Sequence, residues 1–124
     1  MIWIYRLCIV LLSGTIFNVW FFRFSKATPY RGGDATNLME EFVVYGLEGS
    51  MIYFIGGIKL LACGLLLLGL VYKKLVRPAA TVLSVLMLGA LAMHFKVGDP
   101  LIRSLPAAIL LGLALSTLYL DRKV

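Results

Sequence analysis

The residues that could do chemistry in this chain are few, and most of them interrupt stretches that are otherwise apolar. Lys59 stands about eight residues into the run 51–72, roughly 12 Å along a helix axis at ~1.5 Å per residue. An ionisable group at mid-bilayer costs about 2.5–3.5 kcal/mol on insertion scales and is a functional hypothesis by default. The plain alternative is a lysine whose stem snorkels to the headgroups or that pairs structurally. Gly56 and Gly57, one turn away, would let a neighbouring backbone or a ligand come close. His94 is the sole histidine, followed by Lys96 and Asp99. One histidine cannot supply two axial haem ligands, and no second Cys/His cluster offers a metal site. Asn18 lies near the end of the first run, where its amide can hydrogen-bond across helices. The loop before the second run adds Arg31, Glu40 and Glu41. With Arg103, these residues fall in one half of the molecule, and Lys59 needs a carboxylate from Glu40, Glu41 or Asp99. The spacing therefore predicts a semi-buried polar cluster. A lysine or histidine at the edge of an apolar pocket could donate to the carbonyls of a quinone or similar lipid-soluble molecule. The bland account of the same cluster is that it ties the loop to the helices. Cys8 and Cys63 form no Cys-x-x-Cys and read as small packing residues. No nucleophilic triad, P-loop or dinucleotide fingerprint is present, so neither a catalytic residue nor a metal ligand is assigned.

The elements that must position these groups follow from composition. Of 124 residues, 61% are hydrophobic and 15% charged, with a mean hydropathy of +0.96. A soluble domain carries about 45–50% apolar and about 25% charged residues, and a small globule could not hide the excess. The same balance excludes disorder, and two cysteines exclude a disulfide framework. Four apolar runs, about 2–22, 51–72, 79–96 and 105–121, approach the ~20 residues a membrane crossing needs. The expected fold is one all-α domain, 1–124: an integral membrane bundle of four transmembrane helices. After the first run stand Phe21, Phe22, Arg23 and Phe24 instead of a small-x-small cleavage site, which predicts a retained helix.

Connections give the orientation. Lys73, Lys74 and Arg77 make the second link purely basic, which places it and both termini in the cytoplasm. The net charge of +6 is thus topology information, and no nucleic-acid partner is expected. The polar cluster falls in the outer half, beneath the loop 23–50. In that loop, Thr28-Pro29-Tyr30-Arg31-Gly32-Gly33-Asp34 reads as a turn. Asn37 and Glu40 have capping-box spacing, and Gly46 stops a short amphipathic helix lying at the interface. Ser104 and Pro106 are suited to open the fourth helix. Gly64, Gly69, Ala80, Ser84, Gly89, Gly112 and Ser116 are expected at close helix contacts.

Several of these stretches together resemble the bacterial DoxX-like membrane proteins. Thr28 to Asp34 followed by Glu40-Glu41-Phe42-Val43-Val44-Tyr45-Gly46 looks like their first loop. Gly57-Ile58-Lys59-Leu60 resembles their second-helix pattern. Ala92-Met93-His94-Phe95-Lys96-Val97-Gly98-Asp99-Pro100 and Ser104-Leu105-Pro106-Ala107 look like their third-to-fourth helix turn. The resemblance covers nearly the whole chain and implies four membrane helices in the bacterial inner membrane. Founding members of that family are associated with a thiosulfate:quinone oxidoreductase, others accompany redox enzymes, and distant animal relatives are assembly chaperones of nicotinic receptors. The resemblance carries over no catalytic residue. It implies an accessory or assembly subunit without a redox centre of its own. The alternative is a redox-associated protein binding a quinone or similar lipid at the outer polar cluster. Expected partners are the bilayer and a larger membrane complex or further copies of this chain.

Overall fold

The computed structural model describes residues 1–22, 32, 33, 35, 37–47 and 50–124. Among these described residues, five α-helices run in the order α1 (Ile2–Phe17), α2 (Leu38–Val44), α3 (Met51–Leu68), α4 (Val76–Lys96) and α5 (Leu105–Asp121). A π-helical turn over Asn18–Phe22 extends α1, and single 3-10 turns at Lys73–Leu75 and Leu101–Ser104 lead into α4 and α5. With these extensions, Ile2–Phe22, Met51–Leu68, Lys73–Lys96 and Leu101–Asp121 are long and apolar enough to cross a membrane. At most a third of each span is buried inside the protein. Helices that are apolar on every face yet packed on one side leave the remainder for lipid. The chain is an all-α bundle of four membrane helices.

The spans differ from the apolar runs at their ends, for local reasons. α3 stops at Leu68 rather than at 72, because Gly69 lets the chain turn tightly against the start of α4. A Cβ there would collide with Val76 Cγ2 and lie 2.9 Å from the Leu66 carbonyl. α4 then begins three residues before 79, with Pro78 in its first turn, where no intrahelical N–H is lost. Asn37 caps α2, its side-chain oxygen accepting from the Glu40 N–H at 2.8 Å. Gly46, at φ +80°, closes the other end while the Leu47 N–H donates back to the Phe42 carbonyl at 2.8 Å. Ser104 does not cap α5. Its hydroxyl donates to the Leu101 carbonyl at 2.7 Å and closes the 3-10 turn instead. Apart from Gly32 and Gly33, the expected turn at 28–34 lies outside the described residues.

The four spans close into a ring: α1 packs on α3 and α5, and α4 packs on the same two helices. Their core lies in the half nearer the termini, where Ile9, Leu12, Cys63, Leu66, Ala80 and Leu83 are buried. Both cysteines are buried free thiols. Alanines carry much of the close packing: Ala62, Ala79, Ala80, Ala107 and Ala114 are all buried. Gly69, Ala80 and Ser84 sit at contacts as expected. Gly64, Gly89 and Gly112 do not, since a Cβ on any of them would meet nothing within 4 Å, and Ser116 is exposed.

A clasp fastens the termini end. The Tyr5 hydroxyl donates to Asp121 Oδ1 at 2.6 Å. Lys73 Nζ donates to the Asp121 carbonyl at 2.8 Å, and Arg77 Nε reaches Oδ2 at 3.3 Å. One carboxylate, 7% exposed, thus joins α1, α4 and α5. Removing the Tyr5 hydroxyl deletes a hydrogen bond to a charged acceptor, a loss of about 1.5–3 kcal/mol. Lys73, half exposed, contributes only ~0–1 kcal/mol. Thermal melts in detergent should therefore show Tyr5→Phe clearly below the parent and Lys73→Ala close to it. Equal melting of Tyr5→Phe and parent would remove the clasp from the account.

Candidate functional site

At the opposite end, beneath α2, the bundle opens. α2 is seven residues, about two turns at ~3.6 residues per turn, and its buried face is set by spacing. Leu38, Glu41, Phe42 and Tyr45 point inward, while Met39, Glu40 and Val43 are exposed. Leu38 and Phe42 form a small apolar cluster with Ile52, against which Trp20 and Ile55 pack. That packing carries Glu41 into the protein, where it is 8% exposed.

From Glu41 a chain of polar contacts runs to the far side of α4. The Tyr45 hydroxyl donates to Glu41 Oε1 at 2.6 Å and lies 3.3 Å from His94 Nε2. The other ring nitrogen of His94 is 2.8 Å from Asp99 Oδ2. An ionised carboxylate only accepts, so Nδ1 carries the proton of that bond, as assigned from the network. Gly98, at φ +70°, ends α4 and lets the Asp99 N–H donate to the His94 carbonyl at 3.0 Å. This backbone return is what brings the Asp99 side chain under the imidazole. Asp99 Oδ1 also accepts from the Gly33 N–H at 2.9 Å and from Arg103 at 3.1 Å, and Arg103 donates to the Gly33 carbonyl. Burial of Asp99, whose side chain is 3% exposed, would by itself raise its carboxyl. The Gly33 N–H, His94 and Arg103 outweigh that effect and hold it below the ordinary 3.8.

Lys59 lies within the electrostatic reach of Glu41, one of the expected carboxylates, without touching it. Among the described residues it makes no ion pair with Glu40, Glu41 or Asp99. Asp99 is turned toward His94 and Arg103, and Glu40 is exposed on the far face of α2. The Lys59 ammonium sits 5.5 Å from the centre of the Trp20 ring, within cation–π range. Trp20 reaches it because the wide π-helical turn swings the ring inward and because position 56 is glycine. A Cβ on Gly56 would collide with the Trp20 ring.

Two cavities open among these side chains. The first, about 350 Å³, is lined by Asn18, Trp20, Glu41, Lys59, His94 and Arg103 together with apolar residues of α1, α4 and α5. The second, about 340 Å³, lies toward Tyr45, Ile55 and Met93. Leu38, Glu41, Lys59, Ala90 and His94 border both. Apolar walls with a few convergent polar groups, at this size, are the ordinary form of a small-molecule site. Among the described residues no group of three or more His, Cys, Asp or Glu could hold a metal ion.

A scan of protein families matches residues 8–117 to the DoxX-like family. The chain belongs to that family. Searches of curated proteins and of solved structures found no match. The matched stretch of this DoxX-like chain contains Trp20, Lys59 and the whole contact chain from Glu41 to Arg103.

Of the residues picked out in the sequence, Asn18, Glu41, Lys59, His94 and Arg103 line the cavity. Asp99 stands one contact behind, on His94. Lys96 is exposed and donates to the Tyr45 carbonyl at 3.0 Å, which clamps the end of α2 rather than lining the site. Glu40 faces outward, and Arg31 lies outside the described residues. Trp20 and Tyr45 were missed because both read as members of apolar patterns. A tryptophan and a tyrosine whose polar tips need partners when buried were the available signal.

Because its folded value is depressed, Asp99 contributes stability above pH 3.8 and loses it as pH falls through the lower folded value. Replacing it by Asn removes the charge that faces Arg103, which is part exposed and keeps the Gly33 carbonyl, so about 3 kcal/mol is expected, the low end for a broken buried pair. Melting of parent and Asp99→Asn from pH 7 to 3 should show a wide gap at neutral pH that narrows below 3.8. A gap that does not change with pH would contradict this assignment.

Proposed function

We propose that this DoxX-like protein is a redox-associated subunit that binds a quinone or similar lipid-soluble molecule in the cavity beneath α2. The loop end would then face the outer leaflet of a bacterial inner membrane. One observation carries the reading. A cavity of ligand size, walled by apolar side chains, holds Lys59, Glu41 and His94 along a single border. The carbonyl oxygens of a quinone accept hydrogen bonds, and the Lys59 ammonium donates them. The apolar lining suits the ring and tail. Trp20, in contact with Lys59, is positioned to stack on or quench a bound aromatic ring.

The chain has two tryptophans, so Trp3→Phe leaves Trp20 as the sole fluorophore. In that background, titration with tetramethyl-1,4-benzoquinone in detergent should give saturable quenching. Ala90→Phe, which fills the wall shared by both cavities, should weaken it at least about tenfold. Linear, non-saturating quenching that is the same in both proteins would overturn the ligand reading and leave an accessory subunit acting through protein contacts alone.

A further inference from the structure

The border between the two cavities carries more information than an ability to bind quinones. Resting on the reading above, we propose that the site selects a head group that both donates and accepts hydrogen bonds, so that it takes a hydroquinone, or another phenol of that shape, in preference to the oxidised quinone. Lys59 and Glu41 both face both cavities. An ammonium only donates and a carboxylate only accepts. Each is fixed in place. Lys59 is held against Trp20, 5.5 Å from the ring centre. Glu41 is held by the Tyr45 hydroxyl at 2.6 Å, while Lys96 pins the Tyr45 backbone at 3.0 Å.

A quinone offers carbonyl acceptors and no donor. It satisfies Lys59 but turns an acceptor toward the Glu41 carboxylate among mostly apolar walls, where two acceptors that face each other gain no hydrogen bond. A hydroquinone accepts from Lys59 through one oxygen and donates an O–H to Glu41. Sites built to hydrogen-bond a hydroxyl reject analogues that lack it. The proposal does not need Glu41 to be free of its present partners, since a carboxylate accepts from several donors at once. It predicts a preference of about tenfold for the reduced form.

Equilibrium dialysis of the detergent-solubilised full chain, without oxygen, measures this directly, with tetramethyl-1,4-benzoquinone and its hydroquinone as probes. Expected is tighter binding of the hydroquinone by about tenfold. Glu41→Gln keeps an acceptor for Tyr45 but adds an N–H that can meet a carbonyl, so it should bring the ratio below about threefold while the quinone still binds. Lys59→Met should weaken both forms. 4-Methoxyphenol and 1,4-dimethoxybenzene differ by the same donor without redox chemistry and should rank in the same order. Equal binding of the two redox forms, or preference for the quinone, overturns this inference and leaves the ligand reading standing. If neither form binds the parent protein, both fall.

Discussion

A carboxylate withdrawn from water has to be met by donors from several directions at once, and the loop end of this bundle is arranged around that requirement at Asp99. Its donors come from three separate parts of the chain: Gly33 before α2, His94 in the last turn of α4, and Arg103 ahead of α5. Satisfying one side chain therefore joins the loop to two membrane helices. The same bonds fix the His94 ring, and through Tyr45 they reach Glu41. The polar border of the cavity is thus held by a group that does not line it. In a low-dielectric setting such a chain is rigid when every member is satisfied and costly when one is lost.

The two ends of the molecule use similar chemistry to opposite effect. At the termini end, Asp121 draws Tyr5, Lys73 and Arg77 together beside a core that buries Ile9, Leu12 and Leu66. At the loop end, the contacts around Asp99 join Gly33, His94 and Arg103, and the Trp20 ring from the π-helical turn at Asn18–Phe22 lies over Gly56. The space between is left to the cavities. π-helical turns are uncommon and recur at functional sites. Here the turn has a visible consequence, which is the ring that covers Lys59.

Much of the architecture was legible in the sequence because it rests on length and hydropathy. Four runs of apolar residues had to cross a membrane, and Asn37 with Gly46 marked a short helix between the first two. The ends were less legible: Gly69 stops α3 early through a contact with Val76 that no local pattern displays. For the site, residue counting gave depth but not rotation. It grouped Asn18, Lys59, His94 and Asp99 near one end, yet it could not say which way each faced. Lys59 and Asp99 share that end while Asp99 turns toward His94 and Arg103. Glu40 and Glu41 are adjacent in sequence, and only Glu41 is carried inward by the packing of Leu38 and Phe42. Tyr45 looked like one more apolar position, because its part depends on a hydroxyl meeting residues 4 and 49 positions away.

The central claim is that Tyr45, His94 and Asp99 act as one unit that holds the cavity border. A double-mutant cycle of Tyr45→Phe and Asp99→Asn, read by thermal melting in detergent, tests it most directly. The two residues touch opposite nitrogens of His94. If the ring transmits between them, the double variant should be less damaged than the sum of the singles by more than about 0.5 kcal/mol, beyond the additivity of independent sites. Strict additivity would contradict the account, because Tyr45 and Asp99 would then be separate contacts and the border of the cavity would not be held as a unit.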